Sequence, residues 1–148
     1  MRKRCLYNNE ASLVGYTHTR VRFSEIDSMK IVWHGVYVRY FEDGREAFGR
    51  EYPGIGYMDI YNSGYSAPIV DLQLQYLKPL RINDEIIIET RYIDKPGAKM
   101  CYEYTVKKVG TEELVARGST MQVFLDPNGD MCLNNPPFYD EWKRKWIK

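Results

Sequence analysis

One stretch of helical period, set among alternating segments, limits this chain's fold more than any other feature. From Val36 to Glu51, Tyr37, Phe41, Gly44 and Phe48 recur at helical spacing, with Tyr40 and Ala47 beside them. Glu42, Asp43, Arg45, Glu46 and Arg50 take the remaining positions. At 1.5 Å per residue, the helix this predicts is roughly 24 Å long. Gly44 in its middle costs about 1 kcal/mol against Ala, which is sensible where a helix must lie close to a sheet. The strong patterns elsewhere have a period of two. Thr17, Thr19, Val21 and Phe23 alternate with His18, Arg20 and Arg22, which predicts a half-buried strand. Val70, Leu72, Leu74 and Tyr76 alternate with Asp71, Gln73 and Gln75. Ile86, Ile88, Thr90 and Tyr92 form the inner face of a third strand, and Met100, Tyr102, Tyr104 and Val106 that of a fourth. A fifth run, Leu114 to Leu125, is β-rich with an ambiguous face, and Gly118 within it marks a bulge or a close backbone approach.

The turns suit antiparallel pairing. Asp94-Lys95-Pro96-Gly97 joins the third and fourth strands, Val109-Gly110-Thr111 joins the fourth and fifth, and Lys78-Pro79 ends the second. Weaker helices are expected at 56–62 and 138–146. The order is strand, long helix, four strands. The expected class is therefore α+β: a five-stranded antiparallel sheet curled around one long central helix, the hotdog arrangement.

With 148 residues, the chain is expected to form one domain, 1–148. A net charge of +1 supplies no general field for nucleic acid, and no stretch approaches the roughly 20 apolar residues of a membrane span. The basic opening at 2–4 is followed by no apolar core of a signal peptide, so export is not expected. Cys5, Cys101 and Cys132 are odd in number and widely spaced, which suits a reducing cytoplasm better than a disulfide framework. With His18 and His34 the only histidines, no metal site is expected.

Chemistry is concentrated between the first strand and the long helix. Phe23-Ser24-Glu25-Ile26-Asp27 leads through Trp33-His34-Gly35 into Val36-Tyr37. A helix N-terminus presents unpaired N–H groups and a positive dipole end, and so can hold a carbonyl oxygen that becomes negative. A carboxyl in the adjoining loop can attack that carbonyl or deprotonate a water that does. Residue types alone also allow Asp27 to be a turn or capping residue and His34 a satisfied polar residue at a helix start. Glu25 is expected to face solvent.

Arg22-Phe23-Ser24-Glu25-Ile26-Asp27, Val32-Trp33-His34-Gly35-Val36-Tyr37 and Tyr40-Phe41-Glu42-Asp43-Gly44-Arg45 together resemble the 4-hydroxybenzoyl-CoA thioesterase-like hotdog family. The spacing from Asp to His, Tyr, Glu and Arg is similar to that of acyl-CoA thioesterases associated with the Tol–Pal gene cluster. The resemblance continues through Ala67-Pro68-Ile69-Val70 and Phe124-Leu125-Asp126-Pro127. It implies hydrolysis of an acyl-CoA thioester with no cofactor, CoA entering as part of the substrate. Asp27 matches the catalytic aspartate, as nucleophile or general base. His34 matches a histidine whose backbone N–H polarises the thioester carbonyl. Ser66 matches a position near the acyl pocket, where a backbone amide contacts substrate. Tyr37 lines the cleft or packs in the core, and Glu42 and Arg45 are read as a structural i, i+3 pair.

Two departures stand out. Many members have Gly near the position of Lys30. Some relatives also grip the CoA nucleotide with a basic run, of which only Lys95 and Lys99 remain here. The resemblance further implies a homodimer or homotetramer with sites at subunit interfaces. The competing readings are a hotdog hydratase or dehydratase, and a non-catalytic acyl-CoA-binding protein. Those hydratases place Asp and His closer together than Asp27 and His34, and the presence of both residues weighs against a mere binder.

Overall fold

Phe41 and Phe48 decide how the molecule is layered. Both are fully buried, two helical turns apart on one face, and each meets the sheet through an aromatic partner. Phe41 stacks on Tyr104 with centroids 4.3 Å apart, and Phe48 meets Tyr102 edge-on at 5.4 Å. In this computed structural model, which describes residues 11–147, the helix carrying them is α1, Val36–Glu51. The basic residues at 2–4 and Cys5 lie outside the described residues. The sheet comprises β1 (Ala11–Arg20), β2 (Ile69–Tyr76), β3 (Glu85–Ile93), β4 (Lys99–Lys108) and β5 (Leu114–Val123). Its order is β1-β3-β4-β5-β2, antiparallel throughout. Short helix α2 is Tyr57–Asn62, and α3 is Pro137–Trp146. The expected α+β hotdog architecture is the one observed.

Two glycines set the helix-to-sheet distance. A β-carbon on Gly44 would overlap Thr90 Oγ1 and stand 3.0 Å from Ile88 Cγ2, so only Gly lets α1 settle onto β3. A β-carbon on Gly118 would overlap the Gln73 carbonyl and lie 2.7 Å from the Phe41 ring. Of the two readings of Gly118, close approach is the correct one. The irregularities in pairing fall elsewhere, at Val106/Lys107, Ile69/Asp71 and Ala11/Leu13.

The first strand ends earlier than its alternation predicts. Val21 still donates to Asp84 O at 2.9 Å, but Phe23 opens a 3₁₀ turn, Phe23–Glu25, and is 80% exposed. The turn is closed by the Glu25 side chain accepting from the Arg22 N–H, a tertiary device that the pattern does not carry. The second strand also departs from its pattern. Leu74 sits opposite Gly118 on the helix side, yet Val70, Leu72 and Tyr76 on the same face are 56%, 43% and 47% exposed. β2 is an edge strand, and α1 packs chiefly against β1 and β3. Its apolar row is thus left largely uncovered within the chain.

Candidate active site

Before α1 the chain folds into a small hairpin. Ile26 bridges Val32, the Asp27 N–H donates to Ile31 O at 2.9 Å, and the Trp33 N–H donates to Glu25 O at 2.9 Å. Lys30 closes the tip with its N–H on Asp27 O at 2.9 Å and a φ of 66°. That is the left-handed region favouring glycine, so the departure at Lys30 falls where the backbone itself prefers Gly. Val32 donates to Leu80 O at 2.8 Å, which ties the hairpin to the β2–β3 connection.

Asp27 sits at the mouth of this hairpin, half-buried. Its Oδ1 accepts from the Met29 N–H at 2.8 Å, an Asx-turn. Its second oxygen accepts no hydrogen bond from the described residues. Asp27 lies opposite Ile31, so three residue rises, roughly 10 Å, separate it from His34 along the hairpin. His34 and Gly35 bring the chain into α1. Gly35 is the N-cap; no side chain caps the helix, and its first turn holds no acidic residue. Val36 N–H is used by Trp33 O, but the amides of His34 and Gly35 meet no acceptor among the described residues. The positive end of a 16-residue helix is therefore left uncapped where the hairpin leads into it.

Aromatic groups frame that opening. The exposed His34 ring lies 4.9 Å from Trp33 and edge-on to Tyr76 at 6.4 Å. The Tyr76 hydroxyl donates to His34 O at 2.7 Å, which locks the residue's backbone in place. A β-carbon on Gly35 would overlap the Trp33 indole, so Gly is required where the indole folds over the helix start. Tyr37 is only 3% exposed, wedged edge-on between Tyr40 and Tyr76 at 5.6 and 5.0 Å. Burial, and secondarily Tyr76, pushes its hydroxyl up to about 12, so it is a neutral packing group at physiological pH. Of its two readings, core packing describes it within this chain.

Glu25 corrects the expectation of a solvent-facing residue: it is 6% exposed and hydrogen-bonded to Tyr40. The Glu42–Arg45 pairing is also not formed. Arg45 reaches down to the sheet and donates to the Tyr104 hydroxyl at 3.2 Å.

The remaining candidates lie at the other end of the sheet. Ser66 follows α2 and bridges Leu125 beyond the end of β5. Its N–H is spent on Leu125 O at 3.1 Å, and its own carbonyl accepts from the Leu125 N–H at 2.8 Å. The amide expected to meet substrate is thus occupied. The residue still borders a cavity of about 670 Å³ between α1, α2 and the sheet, along with Ile60, Tyr61, Tyr65, Met100 and Tyr102. Lys99 begins β4 and Lys95 lies in the β3–β4 turn. Strand β2 runs from the Ser66 end to Tyr76 beside His34, a length of roughly 25 Å at the strand rise. One chain gathers His34 and Tyr37 around Tyr76, with Asp27 in the hairpin that leads into the same helix. It does not bring Ser66, Lys95 or Lys99 to them.

Trp33, Tyr76 and Glu25 pack around the hairpin and the start of α1, a placement that pattern reading missed. Their partners lie far along the chain or across the hairpin.

Hydrolases that act on thioesters through this fold form one class, the hotdog thioesterases, and sheet, helix and loop all point to it. Comparison with known families makes this definite: the chain belongs to the thioesterase-like superfamily, whose family model matches residues 21–146. Among similar proteins is YneP of Bacillus subtilis, provisionally named an acyl-CoA thioesterase. It is 27% identical over 128 residues, covering 86% of this chain and 91% of YneP. ATL3 of Arabidopsis thaliana, an acyl-acyl carrier protein thioesterase, is 28% identical over 72% of this chain, which spans 56% of that longer protein. Among solved structures, a DHNA-CoA thioesterase from Staphylococcus aureus superposes with a TM-score of 0.79 at 23% identity, covering 89% of each chain. A 4-hydroxybenzoyl-CoA thioesterase superposes at 0.75 with 18% identity, covering 87% of this chain and 97% of that one. These two likenesses establish the hotdog fold.

Proposed function

We propose that this chain hydrolyses an acyl-CoA thioester to the free acid and CoA, with Asp27 as nucleophile or general base. The observation that carries this reading is the Asp27 carboxyl, with one oxygen uncommitted, in the hairpin that leads directly into the uncapped N-terminus of α1. The thioester oxygen would accept from the His34 and Gly35 amides, where the dipole end favours developing negative charge. In the nucleophilic route an Asp27 oxygen bonds to the acyl carbon, the C–S bond breaks, and the thiolate leaves and takes a proton. Water then hydrolyses the mixed anhydride. In the base route Asp27 takes a proton from water as that water's oxygen bonds to the acyl carbon; the C–S bond then breaks and the proton passes from Asp27 to the leaving thiolate. Neither route needs a group beyond the chain and water. The names of YneP, ATL3 and the two solved thioesterases support a thioester substrate, CoA-borne or carrier-borne.

The working unit in this reading is a dimer in the cytoplasm. Pairing two β2 edges antiparallel would cover the apolar row of Val70, Leu72 and Tyr76. It would also set the Tyr76–His34 end of one copy beside the Ser66–Ile69 end of the other. Ser66, Lys95 and Lys99 would then serve the site of the second copy. The test is release of thiol from a panel of aliphatic and aromatic CoA thioesters and an acyl-carrier-protein thioester. Turnover of a CoA thioester is expected. Binding without turnover would leave only an acyl-CoA-binding protein, and turnover of the carrier-borne thioester alone would move the substrate class.

A further inference from the structure

Glu25 is the most deeply buried acidic residue of the hairpin, and the chemistry above does not use it. Its Oε1 accepts from the Arg22 N–H at 2.9 Å and from the Tyr40 hydroxyl at 2.9 Å, while Oε2 lies 3.7 Å from Arg39 Nη1. Its carbonyl accepts from Trp33, the residue before His34. One residue thus grips the start of the hairpin, its far arm and the first two turns of α1. Burial, and then the hydrogen bond to Glu25, raises the Tyr40 hydroxyl far above the ordinary phenol range, so it stays a donor. Burying a carboxyl is costly unless its oxygens are satisfied, and an apolar side chain would fill the space more cheaply. It would, however, remove the side-chain tie between the hairpin and Tyr40 of the helix.

We propose that Glu25, working through Tyr40 and the Arg22 and Trp33 backbone, is a positioning residue that fixes the Asp27 hairpin against the start of α1. The separation between the Asp27 carboxyl and the His34 and Gly35 amides then depends on this clamp. A displacement of about 1 Å at such a site is worth about 10²-fold in rate. The kinetic consequence rests on the thioesterase reading; the structural one does not.

Three variants test the clamp by two readouts. In Glu25→Ala and the milder Tyr40→Phe, amide exchange at Asp27, Lys30, Val32 and Trp33 should rise about tenfold or more, while β3 and β4 keep their protection. In the same proteins kcat should fall, by about 10²-fold in Glu25→Ala, with KM nearly unchanged. Glu25→Gln keeps an acceptor oxygen for both donors and should restore loop protection and most of kcat. Wild-type exchange at the hairpin in a folded Glu25→Ala or Tyr40→Phe protein would overturn the proposal. So would loosened exchange with undiminished kcat. If the wild-type protein releases no thiol from any substrate, the thioesterase reading falls, and the exchange readout still decides whether Glu25 holds the hairpin.

Discussion

Glu25 and Asp27 carry the same functional group two residues apart, yet the hairpin buries one in the core and leaves the other half-buried at its mouth. Alternation along an extended chain would send both to one side. The 3₁₀ turn at Phe23–Glu25 breaks that alternation, which is why sequence periodicity misjudged Glu25. His34 divides its work between backbone and side chain. Its carbonyl is fixed by Tyr76 and its amide stays open, while its ring stands in solvent. His34→Ala keeps the amide and loses only the imidazole. We expect kcat to fall by less than the roughly 10²-fold that marks the lower end of general acid–base assistance. Steady-state kinetics beside an Asp27 variant will check this, and equal losses in two folded proteins would contradict the division. Asp27, His34 and Tyr37 were legible as candidates, through the family resemblance and not from residue type alone, because they lie within a dozen residues of one another. Trp33 and Tyr76 were not, since their roles arise from contacts between segments that no local pattern links.

At the scale of elements, α1 depends on a glycine that its own helical propensity disfavours. Gly44→Ala gains about 1 kcal/mol of helix propensity but forces a methyl into Thr90 and Ile88. Overpacking of this kind typically costs about 1–3 kcal/mol. The protein should be destabilised on balance, with a lower urea midpoint at an unchanged m-value. A more stable variant would show that the helix can lift off β3 freely. The bounds of α1 and the inner faces of β3 and β4 were readable because each buries a full face, and burial is what writes period into a sequence. β2 was readable as a strand but not as an exposed one. Its row of Val70, Leu72, Leu74 and Tyr76 has the alternation of a buried strand, and nothing in that alternation says whether the cover comes from the same chain. The β1 terminus was misread for the opposite reason: Phe23 continues the alternation after the backbone has left the sheet.

The whole molecule is held by an unusually aromatic core, and that has a consequence for its pH range. Burial is the leading cause that raises the hydroxyls of Tyr40, Tyr92, Tyr102, Tyr104 and Tyr139. A phenol with a raised folded-state value keeps its proton where the unfolded chain has lost it. The stability it lends is whole below about pH 10, the ordinary phenol value, and is lost as pH climbs through the raised values. Melting temperature should therefore hold from neutral pH to about 10 and fall steeply above it, with the absorbance of these five buried tyrosinates appearing at the unfolding step, apart from that of exposed residues such as Tyr16, Tyr57 and Tyr61. Ionisation of the buried rings as well, in a still-folded protein near pH 10, would contradict this. The uncovered β2 row sets a second expectation at this scale. Light scattering should give a dimer or larger, and Leu72→Asp should shift it toward monomer with loss of activity, whereas a fully active monomer would end the shared-site account. The proposed chemistry turns on Asp27. The most direct measurement is kcat for thiol release from a CoA thioester by the wild-type and Asp27→Asn proteins, with folding checked by circular dichroism. The amide can neither attack the acyl carbon nor take a proton from water, so kcat should fall by about 10²- to 10⁴-fold or more. A folded Asp27→Asn enzyme with near-normal kcat would remove Asp27 from the chemistry.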